Sequence, residues 1–213
     1  MKHLLIIGAR GWGREVYAAA IGTQAYRDGE FDVKGFLDSK ADALEGLKGN
    51  YPPIICAPED YVIHPDDVFF VAMGDSNWRK HYAEMMEQKG AEFMSIICDG
   101  AYVNPTATIG DGSFVAGWTC VSDNVVIGRH VMIHPFCDLG HDVRVGDYAS
   151  VEAYCFLGGY AEMGTESVLH VRSHLFPHKR VGHHAVVGSS SVVIRNVPDE
   201  THVFGNPAKK IEM

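Results

Sequence analysis

No apolar run in this 213-residue chain reaches the roughly 18 residues that a membrane-crossing helix requires. Arg10 and Arg14 follow the opening Met1 to Gly8 too soon for a secretory leader. The expectation is a cytoplasmic protein without a membrane span. Basic residues are also scarce, 18 Lys and Arg against 27 Asp and Glu, for a net charge of −9. A phosphate backbone rewards the opposite balance, so nucleic acid is excluded as a partner and any anionic ligand must be held locally. The five cysteines include no CxxC pair, which speaks for buried thiols in a reducing compartment and against a disulfide framework or a zinc knuckle. What the chain does have is apolar residues, 46% of the total, enough for one large or two small globular domains.

The first hundred residues alternate short apolar runs with helical patterns. Leu4 to Ile7 reads as a buried strand, Gly8 to Gly13 as a glycine turn, and Arg14 to about Tyr26 as the helix that the turn opens. Val33 to Leu37, Val68 to Met73 and Glu92 to Cys98 read as further strands, and a helix capped by Asp75 or Ser76 runs to Lys89. Such alternation predicts a small parallel α/β sheet over residues 1–100.

From residue 103 the period changes. Sixteen aliphatic residues occupy sixteen consecutive slots six apart, from Val103, Ile109 and Val115 through Leu139 and Leu157 to Val193. Glycine follows eight of them, and the fourth residue after each is small or β-branched in every case but Lys179. An unbroken six-residue repeat of this kind predicts short flat strands joined by tight turns around a narrow prism, a parallel β-helix over residues 101–213. The aliphatic slot and the residue four beyond it face inward and the rest face out. Lys179 falls on an inward position, so the coil from Phe176 to Arg180 is expected to be distorted or its lysine paired.

Two motifs carry chemistry on their own terms. His141 lies two positions after the slot at Leu139 and therefore points outward, with Asp142 beside it. An imidazole is suited to taking a proton near neutral pH, and a neighbouring carboxylate fixes its tautomer and favours the imidazolium that forms. The turn Gly8-Ala9-Arg10-Gly11-Trp12-Gly13 follows a strand and opens a helix, where backbone N–H groups hold phosphate. Its glycines read G-x-x-G-x-G rather than G-x-G-x-x-G, so no nicotinamide cofactor is expected.

The hexads, ending in Gly205-Asn206-Pro207-Ala208-Lys209, resemble the hexapeptide-repeat acyltransferases. The first half, with Ile6-Ile7-Gly8-Ala9-Arg10-Gly11-Trp12-Gly13, Phe36-Leu37-Asp38 and Val71-Ala72-Met73-Gly74-Asp75, is similar to the bacillosamine, perosamine and sialic-acid type branch of bacterial sugar acetyltransferases. The resemblance implies an α/β nucleotide-sugar-binding domain at 1–100 and a left-handed β-helix acyltransferase domain at 101–213, assembled as a homotrimer. It further implies transfer of acetyl from the co-substrate acetyl-CoA to an amino or hydroxyl group of a nucleotide-linked sugar, in bacterial surface-glycan biosynthesis and without a metal.

Carried over residue by residue, the resemblance makes His141 the general base and Asp142 its orienting acid. Gly8, Arg10, Gly11, Trp12, Gly13, Asp38, Ser39 and Gly74 become the nucleotide-sugar site, and Ser150, Val171, Gly188, Ser189 and Ser190 the acetyl-CoA contacts. Ser39 stands where relatives carry a second acid and Ser150 where they carry histidine or asparagine near the thioester. No outward cysteine or serine sits beside a base, so direct attack in a ternary complex is expected. The segment from His170 to Arg180, with three histidines and three basic residues, reads either as a lip for CoA phosphates or as a trimer interface. Other readings are an O-acetyltransferase on a free sugar, a non-catalytic sugar-nucleotide binder, and a zinc lyase using His134 and His170, which are 36 apart.

Overall fold

The computed structural model describes residues 1–211, in two compact units, Met1–Ile96 and a second that starts at Ile97. In the first unit, five strands, β1 (Lys2–Ile7), β2 (Phe31–Leu37), β3 (Ile54–Cys56), β4 (Asp67–Val71) and β5 (Glu92–Phe93), form a parallel sheet in the order β3-β2-β1-β4-β5. β1 is central and covered on both faces, which is why Leu4, Leu5, Ile6 and Ile7 form an uninterrupted apolar run with no exposed surface. Each such side chain contributes roughly 1.5–3 kcal/mol by leaving water. The chain builds outward through β2 and β3, then crosses to the other side of β1 for β4 and β5. That reversal opens a crevice at the carboxyl ends of β1 and β4.

Three local expectations change. The first helix begins inside the glycine turn, as α1 (Gly11–Ile21), and breaks at Gly22. There Thr23 caps a separate turn, α2 (Gln24–Arg27), by accepting from the Tyr26 N–H at 3.2 Å. Strand β3 carries no periodic signal in its three residues. The stretch from Glu92 to Cys98 divides, and its second part, Ile96–Ile97, enters the sheet that includes Phe114–Val115. Helix α3 (Ser76–Gln88) is capped by Asp75, whose carboxylate accepts from the N–H groups of Asn77 and Trp78.

The second unit is a left-handed parallel β-helix. Two-residue strands pair with those 18 residues on, as Asp138 with Phe156 and Leu139 with Leu157, so each coil takes three hexads. The first face carries Cys120–Val121, Asp138–Leu139, Phe156–Leu157 and His174–Leu175; the second carries Val126–Ile127, Arg144–Val145 and Glu162–Met163; the third carries Met132–Ile133, Ser150–Val151, Val168–Leu169 and Val186–Val187. The aliphatic slots and the small residues four beyond them form one buried column that includes Val121, Leu139, Leu157, Cys137, Cys155 and Ala161. The five cysteines are free thiols, and Cys137 and Cys155 are prism filling. From Trp118 to Ser190 every sixth residue has φ between +52° and +62°. These left-handed residues turn the corners and aim the side chains beside them outward.

Lys179 does not behave as expected. The Glu162 N–H still donates to its carbonyl at 2.9 Å, so the ladder is regular there, and among the described residues no carboxylate pairs with its ammonium. The long side chain lies half-buried, with no distortion of the coil.

Candidate active site

Two sites are described, one in each unit. In the α/β unit a cavity of about 440 Å³ opens at the carboxyl ends of β1, β2 and β4. The structure brings Gly8, Arg10, Trp12, Gly13, Asp38, Ser39 and Gly74 to its wall, together with Leu37, Pro58, Met73, Trp78 and Tyr82. Gly11 begins α1 and is not part of the lining. Gly13 is required by packing, since a Cβ there would lie 1.8 Å from the Gly8 carbonyl oxygen. That contact seats the first turn of α1 on the end of β1. No side chain caps α1 and no acid occupies its first turn, which leaves the field of its N-terminus to an anion.

Asp38 is buried, and both its oxygens are engaged by backbone: Oδ2 accepts from the Ala9 N–H and Oδ1 from the Lys40 N–H, each at 2.9 Å. It ties the glycine turn to the end of β2. Burial, with the negative charges of Glu59 and Asp38 nearby, pushes the Tyr82 phenol above its ordinary range, so it stays a neutral hydroxyl at the cavity wall.

The second site is a corner of the prism between its first and second faces. His141 and Asp142 turn that corner, with Asp142 at φ +61°. His141 Nδ1 lies 2.8 Å from Asp142 Oδ2, and the imidazole is 58% exposed. A carboxylate can only accept, so Nδ1 carries the proton of this bond, and in the neutral ring the lone pair is on Nε2. The next coil completes the setting. Gly159 lies against the ring, where a Cβ would be 2.7 Å from Nε2, and Tyr160 meets it edge-on at 5.1 Å. His178, a further coil on, stacks on Tyr160 at 4.8 Å. On the other side Asn124 Nδ2 donates to Asp142 Oδ1 at 2.6 Å. Its hydrogen bonds from His141 first, then Asn124 and Tyr160, hold the Asp142 carboxyl below its usual range, so it is an anion throughout the neutral region.

The residues expected to meet acetyl-CoA lie elsewhere. Val171, Gly188, Ser189 and Ser190 occupy the corner between the third and first faces, with the Val171 N–H donating to Glu152 Oε2 at 3.0 Å and the Ser190 N–H to the Val171 carbonyl at 2.9 Å. Ser189 and Ser190 are exposed. Ser150 is buried within the third face, its N–H donating to the Ser167 carbonyl. Within one chain, His141 and this group stand on different edges of the prism. The basic segment does not form a single lip either. His170 pairs with Glu152 at 3.0 Å and Arg172 covers the Tyr154 ring at one corner, His174 sits on the first face, and His178 joins the His141 corner.

Residues 3–86 match the PglD N-terminal domain, and residues 124–159 match the bacterial transferase hexapeptide of six repeats. The chain therefore combines a PglD-type N-terminal domain with bacterial-transferase hexapeptide repeats. Among solved structures it is similar to the acetyltransferase domain of PglB from Neisseria gonorrhoeae, at 28% identity and a TM-score of 0.85, covering 99% of this chain and 100% of that one. The same domain has been solved in complex with acetyl coenzyme A, and it matches at 27% identity, 99% of both chains and a TM-score of 0.86. Perosamine N-acetyltransferase from Caulobacter crescentus, solved with CoA and GDP-perosamine, shares the fold at 22% identity over 100% of this chain and 98% of its own, with a TM-score of 0.86. An acyl-[acyl-carrier-protein]–UDP-N-acetylglucosamine O-acyltransferase from Burkholderia thailandensis is 26% identical over 136 residues, 61% of this chain and 50% of that protein. The chain thus spans about half the length of the curated relatives it matches.

Proposed function

We propose that this protein is an acyltransferase that moves the acetyl group of acetyl-CoA to an amino group of a nucleotide-linked sugar, as a step in bacterial surface-glycan synthesis. The observation that carries the reading is the His141 corner: an exposed imidazole with its Nδ1–H committed to an ionised carboxylate, so that in the neutral ring Nε2 is the basic nitrogen. The crevice between Arg10, Trp12, Asp38 and Trp78 is the proposed nucleotide-sugar site, its phosphates facing the first turn of α1.

Acetyl-CoA supplies the acyl group as a thioester, and a C–N bond forms as the C–S bond breaks. His141 Nε2 takes the proton that the acceptor nitrogen loses and returns it to the departing sulfur, so CoA leaves as a thiol. Asp142 holds the ring and stabilises the imidazolium between those two transfers. The proposed acetyl-CoA contacts at Val171 and Gly188 to Ser190 lie on another edge from His141. A groove between prisms of a homotrimer would bring one chain's edge beside the next chain's, and the separation of these two groups on a single prism supports the proposed trimeric assembly. An oxygen acceptor would use the same proton path, and the O-acyltransferases among the relatives keep that variant in view.

The test is thermal unfolding with acetyl-CoA and, separately, with UDP-, GDP-, CDP- and dTDP-sugars. A ligand at ~100 times its dissociation constant stabilises by about 2.7 kcal/mol. The expected result is a shift with acetyl-CoA and with one nucleotide class; no shift with acetyl-CoA contradicts the proposal. His141→Ala should lower turnover by roughly 10²- to 10⁴-fold without changing the nucleotide shift.

A further inference from the structure

The proposed base uses only one of the two oxygens of Asp142. Oδ2 faces His141, while Oδ1 receives the amide of Asn124 from the preceding coil. We infer that Asn124 is a positioning residue for the His141–Asp142 pair, fixing the rotation of the carboxylate so that His141 is held in its Nδ1–H tautomer. The inference rests on the reading of His141 as base and deepens it.

A carboxylate torsion is broad and nearly two-fold, and Asp142 keeps 25% of its side chain exposed. With one partner it would swing toward water. With a second donor on the other oxygen, both atoms are placed. Asn124 can act as that donor because it is held in turn. Its own N–H donates to Thr106 Oγ1 at 2.8 Å, and the Thr106 hydroxyl lies between Asp123 Oδ1 at 2.6 Å and Asn104 Oδ1 at 2.8 Å. The corner is thereby tied through three successive coils to the imidazole.

Residue type narrows the assignment. Asn124 has φ +55°, a conformation that glycine, asparagine and aspartate adopt most readily. Of these three, glycine offers no side-chain donor and aspartate would set a second carboxylate against the first. Asparagine is the one of these three that satisfies both the backbone and Asp142. Tyr160 approaches the carboxylate from the opposite coil, and His178 and Asp123 are the remaining titratable groups of the corner.

The test uses Asn124→Gly and Asn124→Asp, both compatible with the corner's backbone, with melting temperature as the check on folding. The ¹⁵N spectrum of the His141 ring, identified by its disappearance in His141→Ala, reports the tautomer without any substrate. The wild type should show a protonated Nδ1 and a lone-pair Nε2, and Asn124→Gly should show the two forms mixed. Turnover should fall on the order of 10- to 100-fold through misplacement of the base, with KM for either substrate changed less than about twofold. In the His141→Ala background, Asn124→Gly should add nothing. A folded Asn124→Gly protein with the wild-type ring spectrum overturns the inference, whatever its melting temperature. If the wild type transfers no acetyl group, the base reading fails, while the ring spectrum still decides whether Asn124 positions the pair.

Discussion

Replacing Gly159 by alanine places a methyl carbon 2.7 Å from Nε2 and 2.8 Å from Cε1 of His141. Ordinary contact begins near 3.5 Å, so the ring must move by about 0.8 Å or rotate away. The atoms that must yield belong to the end of an exposed side chain, and Gly159 does not have a positive φ. The fold should therefore tolerate the change, and the loss of glycine's freedom in the unfolded chain should even stabilise it by about 0.4–1 kcal/mol. The 2.8 Å contact with Asp142 and the direction of Nε2 cannot both survive the shift. A base displaced on this scale costs turnover on the order of 100-fold. The assay is CoA thiol release at saturating substrates, read beside a thermal melt of the same preparation. A variant that melts no lower than the wild type but has lost about two orders of magnitude in turnover supports the geometry. Full turnover would refute the reasoning, because the ring could not then be acting from where it lies.

Two further predictions concern the α/β unit. Gly13→Ala should destabilise it by at least about 3 kcal/mol, since the added carbon meets backbone at Gly8, whereas Gly11→Ala, with its nearest contact at 3.9 Å, should melt near the wild type; equal melting of the two would contradict the packing argument. Burial pushes the Asp67 carboxyl up, but hydrogen bonds from Lys34 at 2.7 Å, the His64 N–H at 2.8 Å and the Tyr61 hydroxyl at 2.8 Å overcome it and hold the group below its ordinary range. A folded-state value below the unfolded one gives stability that is complete above about pH 4 and lost as pH falls through the depressed folded value. Asp67→Ala should therefore cost about 3 kcal/mol at neutral pH and flatten the acid dependence in urea titrations, and an unchanged acid profile would count against the network.

The β-helix is legible because its constraint is local and repeated. Each coil must present an aliphatic and a small residue to a narrow interior every six positions, and the buried column from Val121 to Val193 follows that rule. Lys179 shows the tolerance of the rule, since a long side chain can leave an inward position part-way without breaking the ladder. His141 and Asp142 were visible as an outward pair, but Asn124, Gly159, Tyr160 and His178 were not. Their proximity comes from stacking, and the signal that would have found them is the coil length itself: 124, 142, 160 and 178 are spaced 18 apart, one coil each. The α/β unit offered less. Gly8, Arg10 and Asp38 follow strands and could be placed at the sheet's edge from sequence, whereas Pro58, Trp78 and Tyr82 reach the cavity from separate crossovers whose packing no periodicity encodes. The break of the first helix at Gly22 was hidden by an apolar pattern that continues through it.

The central claim is tested most directly by mixing the protein with acetyl-CoA and a panel of amino-sugar nucleotides and measuring free thiol together with the mass of the sugar product. The expected result is stoichiometric thiol release and a sugar heavier by one acetyl group for one nucleotide class, reduced roughly 10²- to 10⁴-fold by His141→Ala. Acetylation that is undiminished in His141→Ala, or thiol release without an acetylated sugar, would contradict it.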